Sequence, residues 1–295
     1  ALILVAPLSG WLVVTLYTPT LERDAYANLE AIATLKAEQL ENWLHERDTD
    51  AAVLQSNEML QQRVTELTLG RASARNREQL QHDLTHFVNA YGYNGLVLVR
   101  HNGQVLMSAG TDVRTSTTME RLLQTMQPNK LQRSAIYLDQ DNHPRMDWMV
   151  PMGPAQQIDG QPAAAIIFKV DVEQSIFSLI QTWPTASPSG ETLLVRKNGD
   201  NAQFLNKLRH AENTAMVLSP AMDTPDLPAA VAIRANAPGT TAGNDYRHVA
   251  VFSAYRPVAG TPWHIVAKLD QDEVFAPLRT LVTWMAAPRP VLSSH

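Results

Sequence analysis

Arg145, Met146, Asp147, Trp148 and Met149 lie in a row of five. On a strand their alternation sends Arg145, Asp147 and Met149 to one face and Met146 and Trp148 to the other. A cation and an anion side by side, next to a soft apolar side chain, suit the recognition of a polar organic molecule and provide no nucleophile. Tyr137 and Asp139 on the preceding strand can join them. The same alternation also fits the solvent side of an antiparallel sheet, which is polar by default. The residues leave both readings open. Asp171 precedes "VEQSIF" and suits the cap of a helix, where its carboxylate takes an orphan amide.

Other chemistry-bearing patterns are weaker. His82 and His86 stand at i, i+4 around Asp83, a metal-ligand spacing, but no third ligand accompanies them and a solvated helix face is expected. "HERD" at 45–48 reads as a charged helix face, and Met146, Met149 and Met152 read as core filling. There is no Gly-rich phosphate loop and no nucleophile elbow. The chain has no cysteine, which removes thiolate metal sites and a cysteine nucleophile. No catalytic residue, metal or cofactor is expected.

The elements that must position these residues come in two similar sets. "LVRHNG" at 98–103 returns as "LVRKNG" at 194–199, and "AIIFKVDVEQSIF" at 165–177 is matched by "WHIVAKLDQDEVF" at 263–275. The offsets, 96 for the first pair and 99 for the second with Lys169 set on Lys268, agree to within a few loop residues, so the chain is built twice. Ahead of the repeat, apolar residues recur every three or four positions from Leu21 to Leu67 without Gly or Pro, predicting one helix over 21–69. At about 1.5 Å per residue it is roughly 75 Å long. Such a helix outruns what one small module can cover, so homodimerisation along it is expected. Helix 76–91 with Gly92 as its cap follows, then an Asn-Gly hairpin. Next come a short helix from a capping box, Thr117-x-x-Glu120, and strands near 136–139, 145–150 and 163–170, feeding a helix at Asp171. This predicts a five-stranded sheet. After a Pro/Ser/Gly-rich linker at 183–190, strands at 191–196, 202–206, 247–256 and 263–269 and the helix "LPAAVAIRA" form a second sheet, closed by a helix from about Asp270.

Composition bounds the rest. With 295 residues, 45% hydrophobic and 18% charged, there is material for two cores. A net charge of −5 and no basic cluster speak against nucleic acid as a partner. Residues 1–20 are free of charge and long enough for a bilayer span, which makes the membrane an expected partner. "TLVTWMAA" near the end, within 271–295, reads as the start of a second membrane segment, truncated at "PRP".

Taken together, the apolar start, "LKAEQLENWLHERDTDA" in a long helix, the two PAS-like units and the return toward a membrane resemble the double Cache sensor domains of bacterial receptors. "ETLLVRKNGDNAQFLNKLRH" and "DYRHVAVFSAYRPVAGTPWHIVAKLDQDE" are similar to a branch found in sensor histidine kinases and diguanylate cyclases. The resemblance implies an α+β fold: a stalk helix over 21–69, a membrane-distal module over 70–183 and a membrane-proximal module over 184–270. It implies a sensor in the periplasm or outside the cell, attached to the inner membrane, with a kinase or cyclase output beyond residue 295 and no enzyme activity in this region. A small-molecule ligand is implied for the distal module, with the proximal one transmitting. The family's Arg-x-Trp-Tyr motif is missing; its nearest counterpart is "HPRMDWM", which makes Trp148 a candidate beside Arg145, and Asp171 stands where the family's amine-binding Asp stands. The alternative is a protein-interaction module whose pockets are filled by side chains.

Overall fold

The computed structural model describes residues 2–153 and 162–286, with side chains over 14–153, 162–280 and at Thr283. Two compact units emerge: a first module, Leu40–Leu179, and a second formed by Ala1–Gln39 with Ile180–His295. The chain is α+β, as expected.

Helix α1 (Leu2–Ser56) ends where the periodicity predicts continuity. Asn57 turns extended (φ −77°, ψ 96°), and its side chain accepts from the Leu60 amide, starting α2 (Glu58–Thr68) afresh. An Asn cap satisfies an orphan amide at the new helix start. Leu54 and Leu60 stay buried on either side of the break, so apolar spacing alone does not reveal it. Helix α3 (Ala74–Tyr91) starts on a Ser73 cap and ends on Gly92 at φ 69°, the left-handed conformation that glycine adopts without penalty. The hairpin β1 (Gly95–Arg100) and β2 (Val105–Gly110) turns through Gly103 at φ 85°. Helix α4 (Thr117–Gln124) begins one residue before the expected box: Ser116 Oγ, not Thr117, accepts the capping amide, from Met119 at 3.1 Å.

Strands β3 (Gln132–Arg133), β4 (Tyr137–Leu138), β5 (Pro144–Met152) and β6 (Ala164–Asp171) complete an antiparallel sheet of six strands rather than five, ordered β2-β1-β6-β5-β3 with β4 also on β5. A π-helical turn (Glu173–Phe177) and α5 (Ser178–Gln181) follow. Every residue of β5 is buried, so the sheet has no solvent side here and the polar-by-default reading of the Arg145 face does not hold. On one face Trp148 stacks on Phe168, with ring centroids 5.9 Å apart, and meets Trp43 of α1 edge-on at 5.6 Å. On the other, Val97, Val99, Met149, Ala165 and Ile167 pack under Met119, Leu122, Leu123 and Met126 of α4 and the turn after it.

The second module repeats this plan. Its strands are β7 (Glu191–Asn198), β8 (Asn201–Phe204), β9 (Gly239–Asn244), β10 (Ala250–Pro257) and β11 (Trp263–Asp270), ordered β8-β7-β11-β10-β9. As in the first sheet, the hairpin's first strand pairs with the last strand, β1 with β6 and β7 with β11. Helix α6 (Pro228–Ala235) opens with Pro at its first position, where the missing amide costs nothing, and covers a core of Leu193, Val195, Phe204 and Val266. Strand β9 was not expected, because "GTTAGN" carries no apolar alternation; it holds on as an edge strand paired with β10 alone. Helices α7 (Gln271–Val274) and α8 (Ala276–Ala286) follow. Among the described residues no helix is long and apolar enough to cross a membrane; the side chains of 1–13 and residues 287–295, on which the two expected segments partly rest, lie outside that description.

Candidate functional site

Alternation carries the α4-covered face of the first sheet from apolar to polar along three adjacent strands. Val99 and Val97 lead to Gly95 on β1, Ala165 and Ile167 to Lys169 and Asp171 on β6, and Met149 to Asp147 and Arg145 on β5. Register then sets Asp147 opposite Lys169, Lys169 opposite Gly95, and Arg145 opposite both Asp171 and Tyr137. The polar ends of three strands thus meet at one edge of the covered face.

Arg145 is its hub. Nη1 meets Asp171 Oδ2 at 2.5 Å, while Nε lies 3.2 Å from Asp139 Oδ2 and 3.4 Å from Asp112 Oδ2. Burial works against the guanidinium's charge, but Asp171, Asp139 and Asp112 outweigh it and hold its pKa above the ordinary value. Asp139 is fixed from its own turn: it accepts from the amides of Asp141 and His143, both at 2.9 Å. Burial pushes its carboxyl up, and those two amides with Arg145 more than reverse this, leaving its pKa lowered. Asp112 arrives from the loop after β2. The amides of Thr111 and Asp112 donate to Asn94 O, so the loop crosses directly over Gly95. A Cβ at Gly95 would sit 1.9 Å from Asp112 O, so only glycine allows this approach. Asp112 Oδ1 in turn lies 3.4 Å from Lys169 Nζ.

Asp147 has no exposed surface. Tyr137 Oη lies 2.9 Å from both its carboxylate oxygens, and its backbone exchanges hydrogen bonds with Ser134. Burial pushes the Asp147 carboxyl up to about 6; Lys169, Tyr137 and Arg145 pull the other way, and Asp112 adds to the rise. The Tyr137 hydroxyl is itself raised, by burial first and then by Asp147. Asp171 divides its two oxygens: Oδ2 serves Arg145, and Oδ1 accepts from the Gln174 amide at 3.1 Å, the capping role read from sequence.

Of the six residues singled out from sequence, Tyr137, Asp139, Arg145, Asp147 and Asp171 share this cluster. Trp148 does not. It faces the opposite side, where its Nε1 donates to Asp48 Oδ1 at 2.8 Å, because one step along a strand reverses the face. Lys169 and Asp112 complete the cluster and were not singled out. Lys169 was legible, two residues before Asp171 and so on its face; Asp112 was not, since only the loop crossing brings it there. Four carboxylates (Asp112, Asp139, Asp147, Asp171) surround two cations (Arg145, Lys169), an excess of two negative charges. Arg114 links Asp112 (3.8 Å) to Asp141 (2.7 Å), and because it brings one cation and Asp141 one further carboxylate, the excess stays at two.

The second module has a counterpart. Lys268, aligned with Lys169, has no exposed surface and lies 2.9 Å from Glu191 Oε2 and 2.8 Å from Asp245 Oδ2, with its Nζ 5.3 Å from the centroid of the Tyr246 ring. Arg247 joins Asp245 at 2.7 Å to Asp270 at 2.5 Å, the position matching Asp171. The uncharged run of β10, Val251 to Tyr255, is buried, and the register sets Ser253 within it opposite Lys268. His82 and His86 are exposed with ring centroids 6.5 Å apart, and Asp83 pairs with Arg63 instead.

No family model and no curated protein matches the sequence. Solved structures do. The chain aligns with the periplasmic sensory domain of the Campylobacter jejuni chemoreceptor Tlp1 at a TM-score of 0.62 and 13% identity, over 87% of this chain and 99% of that one. The ligand-binding domain of the Pseudomonas aeruginosa amino acid chemoreceptor PctB, in complex with L-Arg, gives 0.55 and 15%, over 86% and 98%. The extracellular domain of the histidine kinase soHK1S-Z6 gives 0.59 and 12%, over 88% and 99%. The fold is that of chemoreceptor and histidine kinase sensory domains, the tandem arrangement that the double Cache resemblance implies.

Proposed function

We propose that this chain is the extracytoplasmic sensor region of a transmembrane signalling receptor and that its first module binds a small molecule carrying an ammonium group. One observation carries the ligand class: four carboxylates converge on two cations at a covered edge of the sheet, and Asp147, wholly buried, holds its proton up to about pH 6. A buried surplus of negative charge is costly unless paired. A ligand ammonium would supply the missing charge and displace that proton. PctB is described with L-Arg and the sensory domain of Tlp3 with isoleucine, molecules that share an amine, and the common fold supports the same recognition here. Arg145 is engaged by three aspartates, so the ligand needs an amine more than it needs a carboxylate.

Signalling is then a population shift between two packings of the receptor, driven by the ligand's differential affinity for them. In this reading residues 1–20 anchor the chain in the inner membrane, a histidine kinase or diguanylate cyclase follows residue 295, and two copies associate along α1, where Leu35 and Val53 are 43% and 47% exposed. The second module, its buried Lys268 already paired, transmits. The test is a thermal-shift screen of the full chain against primary amines and their isosteric alcohols. Stabilisation confined to amines is expected; a collection of amines that leaves Tm unmoved, or alcohols that act equally, would refute the ligand class.

A further inference from the structure

The second module contains a cleft that the ammonium reading does not use. It has a volume of about 570 Å³, formed by the 181–190 connection, the start of β7 and the segment after β8. That size suits a small molecule. One wall is the half-buried Trp183, whose indole lies so close to Gly190 that a Cβ there would meet it at 2.4 Å. Two cations line the cleft, Lys207 and Arg209, and neither has an ion-paired carboxylate among the described residues. Arg209 Nη1 donates instead to the carbonyls of Ser187 (3.0 Å) and Gly190 (2.8 Å), which pins its guanidinium at the cleft. The carboxylate on this lining, Glu191, is already taken: Lys268 lies 2.9 Å away, and the Arg209 amide and Tyr246 hydroxyl also bind it.

We propose that this cleft is a second ligand site, for a small organic carboxylate with a flat apolar body. The carboxylate sits between Lys207 and Arg209, and the body lies on Trp183. The site selects the opposite charge from the one proposed for the first module and does not depend on that reading. The two unpaired cations, in a chain of net charge −5, set this selectivity. Calorimetric titration of the full chain with benzoate, against the neutral isostere benzamide, tests it. Benzoate is expected to bind saturably at one site and benzamide not. Lys207→Gln, a change at an exposed side chain that leaves the core untouched, should weaken benzoate roughly tenfold, the loss typical of one charge-assisted contact. Asp147→Asn should leave benzoate binding as it is. The proposal falls if benzamide matches benzoate, if no saturable heat appears, if Lys207→Gln titrates like the wild type, or if Asp147→Asn abolishes binding, since the anion would then sit in the first module.

Discussion

Asp147→Asn should flatten a specific part of the protein's pH–stability profile. Asp147 is buried among Lys169, Tyr137, Asp112 and Arg145, and its carboxyl is pushed up to about 6, first by burial. Unfolded, it titrates near 3.9. Between those values the folded state binds the proton more tightly, so this group favours folding at low pH and ceases to do so as pH rises through about 6. From pH 4.5 to 7 the loss amounts to about 2 kcal/mol. The amide that replaces the carboxyl in Asp147→Asn cannot titrate and keeps an oxygen for the Tyr137 hydroxyl. Urea unfolding of both proteins at pH 4.5 and 7, without ligand, gives a double difference in which every other carboxylate cancels to first order. Relative to wild type, the variant should gain about 2 kcal/mol over that interval. A double difference of zero, or of opposite sign, would mean that Asp147 is held charged by its neighbours, and the argument from surplus negative charge would fail.

Gly95→Ala drives a methyl into Asp112 O, 1.9 Å away, and should cost about 1–3 kcal/mol in denaturant unfolding while loosening Asp112 from Lys169. Asp171→Asn keeps a capping oxygen for the Gln174 amide but loses the charge facing Arg145, whereas Asp171→Ala loses both; the alanine variant should be the less stable by about 1 kcal/mol, and equal stabilities would deny the cap. Trp148→Phe removes the 2.8 Å bond to Asp48 and should lower stability by about 1.5–3 kcal/mol without weakening an amine ligand, because the ring faces away from Asp147. Replacing Leu35 and Val53 with Glu should reduce association in sedimentation velocity; an unchanged sedimentation profile in a protein that self-associates would move the dimer contact off these positions of α1.

The sequence made the repeat, both Asn-Gly hairpins and the ends of α3 legible, since each rests on local rules: a glycine able to take positive φ at 92, 103 and 199, and short apolar runs in β1, β6 and β11. Where a local rule competes with a tertiary one, legibility fails. Asn57 breaks a helix whose apolar spacing runs on unchanged, and β9 exists only because β10 offers it an edge. The site divides in the same way. Tyr137, Arg145, Asp147 and Asp171 come together through strand alternation and register, which the sequence displays. Asp139 is held by its own turn. Asp112, 57 residues from its partner Lys169, enters through a loop crossing that depends on Gly95 having no side chain, and nothing near residue 112 announces it. Trp148 shows the cost of reading proximity in sequence as proximity in space, since one step along β5 moves it to the far face.

The central claim is that the Asp147 cluster receives a cationic ligand. Its most direct test is calorimetric titration, at pH 5 and pH 7, of the strongest amine from the screen. If the ammonium displaces the Asp147 proton, the wild type should bind roughly tenfold more tightly at pH 7 than at pH 5, with protons released at the lower pH. Asp147→Asn should bind more weakly at both and lose the pH dependence. Wild-type affinity that is flat with pH, together with an Asp147→Asn variant that binds at full strength, would contradict the account and place ligand recognition elsewhere in the chain.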